Sequence, residues 1–146
     1  MEAISVLCAT DNNYAPYCGI MLTSLFESNN DCRFEVFLLH DGCLSTANER
    51  KLELLGSKYG NSIRLMAIDS TLVGGYSAHS TSHIMTLPTF YRLIATTVLP
   101  VELHKVIYLD CDVIVNGDVG AFWNIDMDGY ALACVKECLF NYNSQT

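Results

Sequence analysis

Positive charge is scarce in this sequence, which has 8 Lys and Arg residues against 16 Asp and Glu residues and a formal net charge of −8. Nucleic acids and anionic membranes are bound by clustered positive charge, so we expect neither as a partner. A small anionic ligand stays compatible with this composition, provided that a metal ion or a nearby arginine neutralises it.

Long apolar runs are also missing, and the first residues do not have the pattern of a signal peptide. No run reaches the roughly 18 residues that a membrane span needs, and Met1–Tyr14 lacks the basic region of a signal peptide. The seven cysteines are odd in number and contain no C-x-x-C pair, which favours neither disulfides nor zinc. We therefore expect a cytoplasmic chain without a transmembrane segment, or one peripheral to the inner face of a membrane in a full-length protein.

Several nucleotide-binding and catalytic motifs are absent. The sequence has no G-x-G-x-x-G, no Walker loop and no G-x-S-x-G, so dinucleotide-binding, P-loop and α/β-hydrolase functions lack support. His40, His79, His83 and His104 show no metal-ligand spacing. Any site must be sought elsewhere in the chain.

Strand and helix signals alternate along the chain, which predicts βαβ units and a mainly parallel sheet flanked by helices in one α/β domain. The capping box Thr46–Glu49 predicts the start of the second helix. The predicted strands are Ala3–Ala9, Phe34–His40, Ser62–Ile68, Lys105–Asp110 and Tyr130–Lys136. The predicted helices begin at Pro16, Thr46 and Thr89, and Ser70–His83 is predicted to be a long loop.

Aspartates lie at or just past four of the predicted strand ends, at positions 11, 41, 69 and 110. Ligands of parallel sheets bind at the carboxyl ends of the strands. We expect one pocket to gather several of these carboxylates.

The stretch YLDCDVIV places Asp110 and Asp112 in an apolar run, where an uncompensated carboxylate is costly. If the strand ends at Leu109, both side chains leave the core at its tip and can bind a hard divalent cation, with water and phosphate as further ligands. The alternative is a turn in which Asp112 caps its own backbone.

Two other stretches can be interpreted either as part of a ligand-binding site or as having a purely structural role. Ala9, Thr10, Asp11, Asn13 and Tyr14 either surround a polar ligand or form an Asx-rich turn that starts the next helix. Arg92 lies in an apolar segment and either faces solvent or pairs its planar guanidinium with a carboxylate or phosphate.

Three stretches in this order resemble the retaining glycosyltransferases of family 8, which include glycogenin and bacterial lipopolysaccharide galactosyltransferases: ATDNNYAPY, LPTFYRL and KVIYLDCDVIVNGDVGAFW. The resemblance implies a GT-A fold, a UDP-sugar donor, a carbohydrate or glycolipid acceptor and Mn²⁺ (or Mg²⁺) as cofactor. It implies transfer of a hexose with retention, the cation stabilising the UDP leaving group.

Carried onto this sequence, the resemblance assigns donor binding to Ala9, Thr10, Asp11, Asn13, Tyr14, Arg92, Asp110, Cys111 and Asp112. Asp110 and Asp112 are the implied metal ligands. Family members are longer and carry a later histidine as third ligand, and they often have aspartate where this chain has Glu137. Residues 1–146 therefore resemble a single donor-binding domain that is truncated at its C-terminus relative to the family.

Two other functions remain open from the sequence. The chain is either part of an active transferase or a nucleotide- and metal-binding fragment without turnover, which would expose core surface and could associate with itself. Haloacid-dehalogenase phosphatases also have D-x-D after an apolar strand, but they place it near the N-terminus.

Overall fold

The structure, a computed structural model, describes residues 3–73 and 87–135. Residues 74–83 of the predicted long loop Ser70–His83 therefore lie outside the described residues, as does Glu137. Ser70–Leu72, at the start of the predicted loop, form a short 3₁₀ helix.

The described core is a four-stranded sheet in the order β3-β2-β1-β4, and every neighbouring pair is parallel. The strands are β1 (Ile4–Thr10), β2 (Phe34–His40), β3 (Ser62–Ala67) and β4 (Ile107–Tyr108). The helices α1 (Ala15–Ser28) and α2 (Thr46–Lys58) connect β1 to β2 and β2 to β3. The predicted α/β fold with a parallel sheet is confirmed.

The sheet buries both faces because its strand residues alternate between two apolar clusters. Val6 and Cys8 of β1 pack in the cluster that contains the buried side of α1, whereas Leu7 packs on the opposite face with Tyr91 and Ile94. The second face is covered by a 3₁₀ helix (Leu87–Ile94) that continues into α3 (Ala95–Val98). This arrangement brings the 3₁₀ helix alongside β1 and β4.

Three local predictions need correction. The cap of α2 is Ser45, whose side chain accepts a hydrogen bond from the Asn48 backbone, so the helix cap lies one residue before the predicted Thr46. The helix predicted from Thr89 begins as a 3₁₀ helix at Leu87.

The predicted fifth strand at Tyr130–Lys136 is also wrong over its described part. Residues 130–135 form no strand, and Leu132 and Val135 are 77% and 85% exposed. Apolar β-branched residues favour a pleated surface, but a strand also needs a neighbouring edge for its backbone hydrogen bonds. Within residues 3–73 and 87–135, no strand pairs with this segment.

The C-terminal end of α1 holds the chain that follows Asp112. The buried Asn29 side chain donates to the carbonyls of Leu25 and Gly117 at 3.0 and 3.1 Å, and it accepts from the Val119 backbone at 2.8 Å. Val119 begins α4 (Val119–Trp123). One amide therefore fixes the segment after the two aspartates against the core.

Among the described residues, no helix is both long enough and apolar enough to cross a membrane.

We expect Asn29→Ala to lower the free energy of unfolding by about 2–3 kcal/mol, because it removes the acceptor of the buried Val119 N–H and the side-chain donor to the Leu25 and Gly117 carbonyls. The neighbouring exposed residue supplies a matched control, Asn30→Ala, which should change stability by less than about 0.5 kcal/mol. Urea unfolding of both variants measures the difference. Equal midpoints would show that the Asn29 contacts do not stabilise the fold.

The stability of the protein should fall on acidification through His40. This side chain is 5% exposed, and its Nδ1 accepts a hydrogen bond from the Gly42 backbone at 3.1 Å. Burial lowers the pKa of His40, although the charges of Glu49 and Asp41 act in the opposite direction. The unfolded chain therefore binds a proton more readily than the folded one, and stability declines as the pH drops below the ordinary histidine value of about 6.5.

His40→Asn removes the titrating group but keeps an acceptor near the Nδ1 position. Between about pH 7 and about pH 5, its unfolding free energy should change less steeply than that of the wild type. His104→Gln, at an exposed position, should retain the wild-type slope. A wild-type slope in His40→Asn would contradict the assignment.

Candidate functional site

A pocket of about 340 Å³ opens at the carboxyl ends of β1 and β4, against the 3₁₀ helix. Parallel strands end on the same side of a sheet, so residues far apart in sequence meet there. The pocket is lined by Ala9, Thr10, Asp11, Tyr14, Pro88, Thr89, Arg92, Tyr108, Asp110, Cys111 and Asp112.

The register of β1 and β4 sets the D-x-D segment beside the end of β1. Leu7 pairs with Tyr108, and the Leu109 backbone donates to the Leu7 carbonyl at 2.9 Å. Two residues further on, the Cys111 thiol donates to the Ala9 carbonyl at 2.9 Å. Cys111 therefore points towards the protein interior, between two aspartates that line the pocket.

Asp110 and Asp112 are not buried, although they follow an apolar strand. The sheet pairing of β4 ends at Tyr108, the Asp110 side chain is 47% exposed, and Asp112 is exposed. The early end of the strand brings both carboxylates to the pocket surface. Exposure to water thus removes much of the free-energy cost of burying a carboxylate, which the apolar run around the two aspartates suggests.

The loop after β1 is both an Asx turn and part of the pocket wall. Asp11 Oδ1 accepts hydrogen bonds from the backbones of Asn13 and Tyr14, both at 2.8 Å, at the start of α1. Tyr14 is 46% exposed and its ring lies 5.4 Å from that of Tyr17. The structural and site interpretations of this loop are therefore compatible.

Arg92 faces a carboxylate rather than bulk solvent alone. Its Nη2 lies 2.8 Å from Asp110 Oδ1, and its Nε donates to the Thr89 carbonyl at 3.0 Å. Its guanidinium carbon also lies 4.5 Å from the centre of the Tyr108 ring. One contact within its own 3₁₀ helix and two with the end of β4 thus orient this side chain at the pocket.

Tyr108 joins the same cluster from the sheet side. Its hydroxyl donates to Asp110 Oδ1 at 2.9 Å. Burial, and then the hydrogen bond and charge of Asp110, raise the pKa of Tyr108, so the phenol keeps its proton and donates to the carboxylate.

The pocket carries an excess of negative charge. Among its described lining residues, Asp11, Asp110 and Asp112 are carboxylates and Arg92 supplies a guanidinium. No group of three His, Cys, Asp or Glu side chains within residues 3–73 and 87–135 is arranged to hold a metal ion. Two carboxylates still fit a hard cation that takes its other ligands from water and phosphate, which is the usual pattern for Mg²⁺.

Most residues predicted for the site come together in this pocket. Asn13 is not among the lining residues, and its backbone donates to Asp11 in the Asx turn. Of the four aspartates at predicted strand ends, the pocket gathers Asp11 and Asp110, whereas Asp41 and Asp69 accept hydrogen bonds from the backbones of Cys43 and Thr71 in local turns.

Sequence reasoning missed three lining residues, Pro88, Thr89 and Tyr108. Pro88 and Thr89 belong to the LPTFYRL stretch, which identified Arg92 but gave its neighbours no role. Tyr108 belongs to the predicted strand Lys105–Asp110, whose residues around it are apolar. In the sequence, only its hydroxyl, two residues before Asp110, indicates a polar function.

Comparison with known proteins agrees with this geometry. Residues 5–146 match the profile described as glycosyl transferase family 8. General stress protein A of Bacillus subtilis is 28% identical over 137 residues, which are 93% of this chain and 47% of that protein. A lipopolysaccharide 1,2-glucosyltransferase of Escherichia coli is 23% identical over 136 residues, 93% of this chain and 39% of that protein. The chain thus spans less than half of either relative.

Solved structures show the same fold. The galactosyltransferase LgtC, in complex with donor and acceptor sugar analogues, superposes with a TM-score of 0.72 at 23% identity, covering 85% of this chain and 43% of that one. The glycosyltransferase GlyE of Streptococcus pneumoniae gives a TM-score of 0.64 at 20% identity, covering 87% and 28%. The profile match over residues 5–146 shows that the chain belongs to glycosyl transferase family 8, and its GT-A-like fold agrees with this.

Proposed function

We propose that the protein containing this chain transfers a hexose from a UDP-sugar to a carbohydrate or glycolipid acceptor, with retention at the anomeric carbon. Residues 1–146 are the domain that holds the donor. The observation that carries the proposal is the convergence of Asp110, Asp112 and Arg92 with the end of β1 in one pocket of a family 8 chain.

Each side of the pocket suits a different part of such a donor. Asp11 and the exposed Tyr14 ring offer an acceptor and an apolar face for the uridine, and Ala9 and Thr10 supply the adjoining wall. Arg92 suits the diphosphate, because a guanidinium matches phosphate oxygens and carries permanent positive charge. Asn13, which the family resemblance also assigns to the donor, contributes through the turn that positions Tyr14.

In this proposal Asp110 and Asp112 hold Mn²⁺ or Mg²⁺, and Asp110 also contacts the ribose. A divalent cation there would supply Lewis-acid stabilisation of the leaving diphosphate. The positive charge of this cation would also offset the carboxylates, so that a pocket with more carboxylates than cationic groups could accept an anionic ligand. Cys111 orients the two aspartates by donating to the Ala9 carbonyl.

A cytoplasmic location and self-association remain predictions from the sequence. The family membership favours a transferase over the phosphatase alternative. The remaining alternative is nucleotide and metal binding without turnover. Slow hydrolysis of a UDP-sugar by the protein would favour the transferase, whereas nucleotide binding without hydrolysis or transfer would favour the binding module.

Titration calorimetry with UDP tests the donor site. We expect Mn²⁺ to strengthen UDP binding by the wild type, and the variant Asp110→Asn/Asp112→Asn to lose at least about tenfold in affinity with Mn²⁺ present. A double variant at exposed acidic positions outside the pocket, Asp31→Asn/Glu102→Gln, changes the net charge equally. It should bind like the wild type.

Equal affinities in the wild type and the double aspartate variant would count against the site. A similar loss in the control variant would indicate that net charge alone attracts the nucleotide.

The stability of single variants distinguishes a site carboxylate from a helix cap. Asp118 Oδ1 accepts a hydrogen bond from the Ala121 backbone at the start of α4, so Asp118→Ala should cost about 1 kcal/mol. Asp112 lies in an acidic pocket, and Asp112→Ala should leave the stability within about 0.5 kcal/mol of the wild type or raise it. Urea unfolding measures both. A loss at Asp112 as large as that at Asp118 would support the turn-cap interpretation.

A further inference from the structure

Tyr108 contacts both members of the ion pair at the pocket. Its hydroxyl lies 2.9 Å from Asp110 Oδ1, and its ring centre lies 4.5 Å from the Arg92 guanidinium carbon. The same Oδ1 atom accepts from Arg92 Nη2 at 2.8 Å. One tyrosine therefore fixes the position of an anion through its hydroxyl and of a cation through its ring face.

The ring is anchored independently of the pocket. Tyr108 pairs with Leu7 in the sheet and packs against the buried cluster that includes Leu7 and Tyr91. By contrast, the Asp110 and Arg92 side chains are 47% and 38% exposed. Exposed ion pairs of this kind are held only weakly by their mutual attraction. The rigid partner in the cluster is the tyrosine.

The described contacts use only part of the hydrogen-bonding capacity of the Asp110 and Arg92 side chains. Both described bonds to the Asp110 carboxylate end on Oδ1, so among the described contacts Oδ2 stays free for a ligand. Within residues 3–73 and 87–135, two of the five guanidinium N–H donors of Arg92 are used by Asp110 and Thr89, which leaves three. Free groups on both side chains are thus held beside the same pocket.

From this geometry we propose that Tyr108 is a positioning residue of the donor site, which orients the Asp110 carboxylate and the Arg92 guanidinium before the donor binds. The inference rests on the proposed function for the identity of the ligand. The orientation itself is a property of the free protein. Because the two exposed side chains are already ordered in the free protein, donor binding does not carry the entropic cost of ordering them.

Two substitutions separate the hydroxyl from the ring. Tyr108→Phe keeps the packing and the ring face under Arg92 but removes the bond to Asp110. Tyr108→Leu removes both. The matched control is Tyr59→Phe, because the Tyr59 hydroxyl also donates to a carboxylate, that of Glu27, at a surface distant from the pocket lining.

Nitrogen-15 NMR of the free protein measures how firmly the Arg92 guanidinium is held in its orientation. Rotation and exchange of the Arg92 Nη protons, assigned by their loss in Arg92→Lys, should be several-fold faster in Tyr108→Phe than in the wild type and faster again in Tyr108→Leu. Tyr59→Phe should leave them unchanged. If Tyr108→Phe matches the wild type, the ring merely fills space and the proposal is overturned; this comparison decides even if Tyr108→Leu fails to fold.

Calorimetry with UDP and Mn²⁺ tests the consequence for binding. Tyr108→Phe should weaken the affinity by about tenfold, as expected for loss of a hydrogen bond to a charged group, while Tyr59→Phe binds normally. Faster Arg92 motion with unchanged affinity would overturn the positioning role. Faster motion in a protein whose wild type binds no UDP under any condition would support the orientation by Tyr108 and refute the proposed donor instead.

Discussion

The candidate site depends on the carboxylate of Asp110, which is held at the end of β4 by Arg92 and Tyr108. It accepts one hydrogen bond from a residue of the 3₁₀ helix and one from a residue of the sheet. The 3₁₀ helix and the sheet, which both line the pocket, therefore each donate a hydrogen bond to the same carboxylate oxygen. A neutral side chain at position 110 would weaken both contacts at once, and the pocket wall would lose its fixed point.

The rest of the fold brings this carboxylate to the surface without burying it. Parallel pairing places the ends of β1 and β4 on the same side of the sheet, and the sheet pairing of β4 ends at Tyr108, before the aspartates. Asn29 then ties the following segment to α1. The apolar run around the aspartates is consequently anchored on both sides, while the carboxylates between remain accessible to a ligand.

Much of this arrangement could be predicted from the sequence, since short apolar runs bounded by turn residues and helical spacing are local properties. Thus β2 has the predicted bounds, and the parallel sheet follows from the alternation of strands and helices. The aspartates at positions 41 and 69 show where such reasoning ends. Like Asp11, they follow strands and accept backbone hydrogen bonds in local turns, but they follow β2 and β3, whereas the pocket lies at the ends of β1 and β4.

Other features depend on contacts between distant residues and have no local signal. The fifth predicted strand has the right composition, but within the described residues no edge pairs with it. Tyr108 has the side-chain type of an ordinary strand residue, and its polar role follows from two contacts, that of its hydroxyl with Asp110 and that of its ring with Arg92 from sixteen positions earlier. The family resemblance supplied the grouping of Arg92 with Asp110, which spacing alone would not give.

The central claim is that the ends of β1 and β4 hold a nucleotide diphosphate together with a divalent cation. Paramagnetic broadening of backbone amide NMR signals by Mn²⁺, measured with and without UDP, tests it most directly. With UDP present, we expect selective loss of signals around Asp11 and Asp110–Asp112, while those of Ser62–Ala67 persist. Broadening spread over the acidic surface, or centred away from the pocket, would contradict the account.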